Sequence, residues 1–459
     1  MAPKFGTSGL RGLVTELDER CVGDHVGAFI AACQTGTGLF VGHDLRDSSP
    51  DIARMVMNAA RACGLQVTDC GAVPTPALAL ASTSTDAAAV MITGSHIPAD
   101  RNGLKFYTPN GEITKADEAA IVATLGAARD RVTPGDLTSA DDVGQAYLAR
   151  YTTAFGADAL AGMRIGIYAH SAVGRGLMAD LLRALGAEPV MLGASDSFIP
   201  VDTEAVAPEI RQHLRDWAAA ERVDAIVSTD ADGDRPLVTN ELGEVVPGDI
   251  LGQIAATMLG ADKVVTPISS NTGVSAKGVF DDVVLTRIGS PYVIAAMEDI
   301  GGQVVGYEAN GGFLLGFSAD GPAGILAPLM TRDALLPMLC VLTAARSSSL
   351  SALVAAEPPR FTAADRLQEV PTARSTAYVA KLTENAADRA GFLAHFDGAE
   401  AEVNTTDGLR MTLTDGRVLH LRPSGNAPEL RLYVEATDRQ VAQATLDQGL
   451  AVLRTIFTG

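Results

Sequence analysis

A strand, a polar turn, an amphipathic helix closed by glycine and a second strand recur along this chain, and that recurrence constrains its fold more than any other feature. The first copy runs LFVGHD (39–44), DIARMVMNAARACG (51–64) and LQVTDCG (65–71). The second runs MRIGIYAHSAVG (163–174), RGLMADLLRALGA (175–187) and EPVMLG (188–193). A weaker third runs DKVVTPISSNTGV (262–274), a short helical segment, and DVVLTRIG (282–289). Continuous apolar strands joined by helices predict parallel sheets within α/β layers. Copies at intervals of roughly a hundred residues predict three related α/β domains.

The C-terminal part reads differently. RFTAADRLQEV (360–370) leads to a helix and then to short strands around DGLRMTLTDGRVLHLRP and ELRLYVEAT. Asp415-Gly416 predicts a hairpin closed by a type I′ turn, in a smaller α+β domain. The expected division is 1–150, 151–250, 251–365 and 366–459, with 459 residues and 47% hydrophobic content to build the cores. The most apolar stretch, AGILAPLMTRDALLPMLCVLTAA (323–345), is interrupted by Arg332, Asp333 and two prolines, and reads as a buried helix rather than a membrane span.

A formal charge of −20 excludes a basic nucleic-acid footprint and a polybasic membrane patch, so the expected partners are small molecules. An anion site against that field is feasible because distant charges are screened beyond roughly 8 Å. Cys21, Cys33, Cys63, Cys70 and Cys340 form no C-x-x-C and are odd in number. With no apolar signal core at the start, they are expected to be reduced thiols of a cytoplasmic protein, a monomer or small homo-oligomer.

Five loops carry candidate chemistry. Ser95 and His96 follow the buried-strand candidate AAAVMIT (87–93), where α/β sheets bind ligands, and Pro98 blocks a helix. G-x-S-x-G is absent, so this is not a nucleophile elbow, and a turn serine bonding its own loop is the competing reading. Asp230, Asp232 and Asp234 alternate in TDADGDR after the apolar VDAIVS. Three crowded carboxylates repel unless a cation joins them, and hard oxygens favour Mg²⁺ or Ca²⁺. An EF-hand would place Glu241 at position 12, but Arg235 stands where its glycine belongs. A phosphatase with Asp230 as nucleophile is a further alternative.

KFGTSGLRG (4–12) offers glycines beside Thr7 and Ser8 for an anion-facing backbone, with Arg11 as a charged donor. GYEANGGFLLG (306–316) places Glu308 and Asn310 as an acceptor and a donor suited to vicinal hydroxyls. LRPSGNAPELRLYVEA (421–436) gathers Arg422, Ser424, Gly425 and Asn426, with Arg431 returning nearby, as a phosphate grip.

In this order, FGTSGLRG, TGSHIP, DADGDR, EANGG and RPSGNAP resemble the α-D-phosphohexomutase family over essentially the whole chain. The resemblance implies three similar mixed-sheet α/β domains plus a smaller α+β C-terminal domain around a central cleft. It implies interconversion of hexose 1-phosphate and hexose 6-phosphate through a phosphoserine and a 1,6-bisphosphate, which also serves as activator. Mannose is the first expectation for the sugar, with glucose and glucosamine behind it. Ser95 matches the phosphoserine. Asp230, Asp232 and Asp234, with a Ser95 phosphate oxygen, match the Mg²⁺ ligands. Arg11, His96 and Lys105 match groups around the reacting phosphate, with Lys105 a base only if its surroundings lower its pKa. Arg235, Glu308, Asn310, Arg422, Ser424, Gly425, Asn426 and Arg431 match substrate-binding positions. Ile97, Ala231, Asn310, Asn426 and Ala427 depart from the commonest family pattern, the changes in the last two loops bearing on substrate choice and Ala231 mattering only if its backbone needs positive φ. A non-catalytic sugar-phosphate-binding or Ca²⁺-binding protein is the alternative outside enzymes.

Overall fold

The computed structural model describes residues 3–6, 9–127, 132–424 and 428–458. It divides into two compact units, Met1–Val264 with Gly289–Val354, and Val265–Ile288 with Ala355–Gly459.

The first repeat copy becomes the middle of an eight-stranded sheet. Leu39–His43 pairs in parallel with Val67–Ala72 on one side and with Ala88–Ile92 on the other. Helix Ser49–Ala62 covers it, burying Ile52, Ala53, Val56, Met57 and Ala60 along one stripe. Every residue of Ala88–Ile92 is buried, as its unbroken apolar run requires. The sheet is mixed rather than parallel throughout. Ala88–Ile92 returns antiparallel through Arg101–Thr108, because the loop 93–100 between them is too short for a crossover helix. Leu10–Leu13 then extends the same edge, with Arg11 opposite Gly103.

The second copy builds a five-stranded sheet in which Arg164–His170 lies parallel to both Glu188–Ala194 and Ala225–Thr229. Ala225–Thr229 turns back through Pro236–Thr239 in an antiparallel pair, so residues 230–235 are the tip of a hairpin. Still in the first unit, Val304–Tyr307, Phe313–Leu315 and Leu329–Asp333 form an antiparallel ladder.

The apolar stretch 323–345 is not one helix. It holds short strand Ile325–Leu326, strand Leu329–Asp333, and a helix only from Leu335 to Ala345. The break falls at Asp333, whose Oδ1 accepts from the backbone N–H of Leu335 at 2.9 Å and Leu336 at 3.4 Å. That carboxylate satisfies helix-start donors, and Pro337 is tolerated in the first turn.

In the second unit, the third copy appears as the short helix Gly273–Ala276 followed by strand Asp282–Thr286. The C-terminal part is a five-stranded sheet, antiparallel throughout, with helices Thr372–Glu384, Ala386–Leu393 and Arg439–Thr458, an α+β arrangement. The expected hairpin joins Leu409–Leu413 to Val418–Pro423. Its turn is not type I′, which needs positive φ at both central residues. Here only Gly416 is left-handed (φ 82°), and Leu413 N bonds Arg417 O at 2.8 Å across a three-residue loop.

No helix among the described residues is long and apolar enough to cross a membrane.

Candidate active site

Ser95 occupies a strained corner. It follows the end of Ala88–Ile92 with φ 53°, a region that non-glycine residues seldom occupy. Strand–turn–strand surroundings exclude the nucleophile-elbow topology, as expected, although the backbone at this serine is left-handed.

Buried polar groups hold that corner. Ser95 N–H donates to Thr93 Oγ1 at 2.7 Å, and Thr93 Oγ1 donates to Asp44 Oδ2 at 2.7 Å. Ser49 Oγ donates to Asp44 Oδ1 at 2.6 Å. Arg46, almost wholly buried, pairs with Asp44 through Nε at 3.2 Å. Its Nη2 donates to the carbonyls of Ser95 (2.8 Å) and Ile97 (2.7 Å), and Nη1 to those of Pro98 (2.8 Å) and Arg101 (3.1 Å). Phe198 stacks 4.0 Å from the guanidinium. Gly94 is required because a Cβ there would lie 2.6 Å from Arg46 Cζ. Nothing in the sequence reading had singled out Arg46 or Asp44. The polar DLRDSS that follows strand Leu39–His43 was the available signal.

The acid loop meets this corner. Ser95 Oγ donates to Asp230 Oδ2 at 2.6 Å. Asp230, Asp232 and Asp234 are all fully buried, and each offers an oxygen within 4.8 Å of the others, which rules out a solvated acidic turn. Gly233 supplies the left-handed residue of the tip (φ 74°), while Ala231 has no positive φ and is accommodated without cost. Strands, not helices, flank the loop, and Glu241 accepts from Ser351 instead of turning to the aspartates, so the EF-hand reading fails.

Cations compensate this charge. Lys105 Nζ lies 2.5 Å from Asp232 Oδ2 and 2.6 Å from Asp234 Oδ2. Arg332 Nη2 lies 2.8 Å from Asp234 Oδ2, and Arg235 Nε 3.9 Å from Asp234 Oδ1. Thr75 Oγ1 donates to Asp232 Oδ2 at 2.6 Å. Burial works against the charged form of Asp232, but Lys105 and the Thr75 hydroxyl outweigh it and hold the carboxyl well below the usual range. Burial, then the neighbouring Asp232 and Asp234, push Asp230 well above it. Burial also opposes the ammonium of Lys105, yet Asp232 and Asp234 prevail and raise its pKa. In this arrangement Lys105 compensates the charge of Asp232 and Asp234.

His96 is held neutral. Burial first, then Arg235 and Arg11, lower it to about 3. Arg235 Nη1 donates to its Nδ1 at 2.7 Å, which leaves the ring proton on Nε2. Ser95 Oγ lies 3.3 Å from the same Nδ1. Burial and Arg235 lower Arg11 to about 10, so it remains charged at neutral pH. Arg11 thus belongs to the same electrostatic neighbourhood.

The donor set fits a divalent cation. Oδ1 of Asp232 and Oδ1 of Asp234 are buried and accept no hydrogen bond from the described residues. Desolvated carboxylate oxygens of this kind are hard ligands suited to Mg²⁺.

Glu308 and Asn310, two positions apart on one loop, make different contacts. Glu308 Oε2 pairs with Arg332 Nη1 at 3.3 Å. Asn310 turns its Oδ1 back to accept from Gly312 N–H at 3.0 Å, and its carbonyl accepts from Thr203 Oγ1 at 2.9 Å. Arg332 is the largest omission from the sequence reading, which took it only as an interruption of an apolar run. A charge inside such a run needs a buried partner, and that was the signal.

The C-terminal loop lies in the second unit. Arg422 Nε bonds Asp407 Oδ2 at 2.8 Å, Arg431 Nη2 bonds Glu429 Oε1 at 2.9 Å, and Ser424 N–H bonds the Glu429 carbonyl at 3.0 Å. Gly425 and Asn426 lie outside the described residues, as do Thr7 and Ser8. Arg366, which the sequence reading missed, faces Arg431 across one ladder, and Arg431 faces Arg422 across the next. Three guanidiniums in register on one face repel unless anions intervene, and Glu429 and Asp407 supply part of that compensation.

A serine at a strained strand end, a buried acid triad fit for a divalent cation and the cations Lys105, Arg235 and Arg332 beside it are the parts an α/β enzyme of phosphoryl transfer uses. Residues 2–131, 247–361 and 368–450 match domains I, III and the C-terminal domain of phosphoglucomutase/phosphomannomutase. A phosphomannomutase of Sinorhizobium fredii is 46% identical over 99% of this chain and 99% of its own. One of Salmonella muenchen is 42% identical over 95% of this chain and 93% of its own. The crystal structure of a phosphoglucomutase/phosphomannomutase family protein from Burkholderia thailandensis superposes with a TM-score of 0.80, covering 98% of this chain and 97% of that one at 23% identity. The chain belongs to the phosphoglucomutase/phosphomannomutase family and is a mutase.

Proposed function

We propose that this mutase interconverts mannose 1-phosphate and mannose 6-phosphate, with Ser95 as the residue that carries the phosphoryl group. The Ser95 Oγ to Asp230 Oδ2 contact of 2.6 Å carries the reading, because it joins a hydroxyl on strained backbone to an acid triad that could hold a cation. The choice of mannose rests on the two relatives named phosphomannomutase. The free state of all five cysteines supports a cytoplasmic setting.

In the first half-reaction, the bond from phosphorus to Ser95 Oγ breaks as a bond to the free sugar hydroxyl forms. The sugar hydroxyl gives up a proton and the serine oxygen takes one, so the half-reaction conserves protons. The product is a hexose 1,6-bisphosphate, which turns over before its other phosphate returns to Ser95. Mg²⁺ held by Asp230, Asp232 and Asp234 would neutralise charge on the phosphoserine. Lys105, Arg11 and Arg235 surround the transferring group with fixed positive charge, which lowers the barrier where oxygens gain charge. His96, neutral and tied to Arg235, braces the loop. Glu308 and Asn310 would take sugar hydroxyls. Arg422, Ser424, Gly425, Asn426, Arg431 and Arg366 would grip the phosphate that is not reacting, in either orientation of the sugar. The division into 1–150, 151–250, 251–365 and 366–459 assigns one of these loops to each domain, with the Arg11 loop sharing the first.

Intact mass of the purified chain tests this directly. An added phosphate mapped to Ser95, discharged by hexose phosphate, supports it. Conversion of glucose 1-phosphate or glucosamine 1-phosphate in preference to the mannose compound would reassign the substrate. Turnover retained by Ser95→Ala and lost only with Asp230→Asn would instead mark a phosphatase with an aspartate nucleophile.

A further inference from the structure

Arg332 joins two carboxylates that the mutase reading assigns to different tasks. It leaves strand Leu329–Asp333 with its side chain 3% exposed. Nη2 lies 2.8 Å from Asp234 Oδ2, and Nη1 lies 3.3 Å from Glu308 Oε2. One planar fork therefore spans the acid triad and the loop that carries Glu308. Gly312 makes room for it. A Cβ at Gly312 would lie 2.8 Å from Arg332 Cδ and 3.0 Å from Cγ, and the φ of Gly312 is not positive, so the demand is for space and not for backbone freedom. Lys105 shares the same Asp234 oxygen at 2.6 Å, so that oxygen meets two cationic side chains of the protein itself.

We propose that Arg332 is a positioning residue that couples the cation held by the triad to the sugar held by Glu308, an inference that rests on the mutase reading above. Its charge beside Asp234 competes with a divalent cation and moderates the triad's affinity. Its second nitrogen fixes the Glu308 carboxylate in place as a hydroxyl acceptor. A group that both sites share transmits occupancy of one to the other, and the coupling is reciprocal.

Arg332→Met and Arg332→Lys separate the two effects in the full chain. Mn²⁺ binding, followed by electron paramagnetic resonance without substrate, reads the triad. KM and kcat for mannose 1-phosphate read the sugar loop. Arg332→Met removes the competing charge, so Mn²⁺ binds on the order of tenfold more tightly, while KM rises on the order of tenfold as Glu308 loses its anchor. Arg332→Lys keeps the charge but lacks the fork. Its Mn²⁺ affinity stays within about twofold of wild type while KM rises as in Arg332→Met.

Unchanged Mn²⁺ affinity in Arg332→Met, or a wild-type KM in Arg332→Lys, overturns the proposal. If circular dichroism shows that Arg332→Met does not fold, the KM of Arg332→Lys decides alone. A wild-type chain that neither binds Mn²⁺ nor converts hexose phosphate overturns the mutase reading and this coupling together; an active wild type with unaltered variants overturns the coupling only.

Discussion

Ser95 Oγ donates a 2.6 Å hydrogen bond to Asp230 Oδ2, although 135 positions separate the two residues. The strand end carrying Ser95 and the hairpin tip carrying Asp230 belong to different sheets of the first unit. Their contact makes each residue's chemistry depend on the other.

Ser95→Ala and Asp230→Asn should therefore both lose at least about a thousandfold in kcat, as expected when two groups act as one unit. The double variant should lose little more than either alone. Additive losses in a hexose phosphate interconversion assay would show that the two act separately.

Gly94→Ala places a methyl 2.6 Å from Arg46 Cζ, and Arg46 is held by four loop carbonyls and by Asp44. The variant should be less stable by about 1–3 kcal/mol, the usual cost of overpacking. It should also carry less phosphate on Ser95, because the strained loop can no longer close on Arg46. Urea melts and intact mass check the two effects. A variant of wild-type stability and phosphate content would mean that Arg46 yields freely.

Chelation should abolish turnover, and Mg²⁺ should restore it. A cation that binds only the folded chain adds about 2.7 kcal/mol at a hundred times its Kd, so the thermal midpoint should rise with Mg²⁺. Asp232→Asn should erase that rise. An identical midpoint with and without Mg²⁺ in the wild type would remove the triad from consideration as a metal site.

Acid should weaken the fold before the carboxylates titrate. Burial lowers His170 and His420 each to about 4, against an ordinary value of 6.5. Both stay neutral in the folded chain while their unfolded counterparts take up protons below pH 6.5. Stability from these groups is complete above about pH 6.5 and is lost as the pH falls toward 4, by up to about 1.4 kcal/mol per pH unit for each histidine. His420 stacks on Tyr433 at 5.2 Å and its Nε2 faces the Asp407 carbonyl at 2.6 Å, so His420→Gln removes one such proton from the balance. Denaturant melts at pH 7 and pH 5 should show a smaller loss for the variant. An equal loss would assign the acid sensitivity elsewhere.

Legibility in the sequence followed the range of the physics. DADGDR was readable as a crowded acidic loop after a buried strand, because carboxylate crowding is local and the preceding VDAIVS marks that strand. Ser95 was placed correctly at a strand end, but its left-handed φ was not foreseen, because the corner is held by groups distant in sequence, Arg46 among them at 49 positions away. The turn at Asp415-Gly416 was placed correctly but typed wrongly. Loop length is set by the register of the two strands, which the dipeptide does not encode. The run 323–345 was misread because hydropathy does not distinguish a buried strand from a buried helix, and the Asp333 cap that separates them was taken for an interruption.

By itself, the order of residues determined the repeated α/β units, the antiparallel tail and the loops that hold reactive side chains, because periodicity, turn chemistry and crowding act between near neighbours. Only the tertiary structure decided which charged and polar groups face one another: Lys105 on Asp232 and Asp234, Arg332 between Asp234 and Glu308, the Thr75 hydroxyl on Asp232. Electrostatic energy depends on distance in space and on exclusion of water, and neither is written in the spacing of residues along a chain.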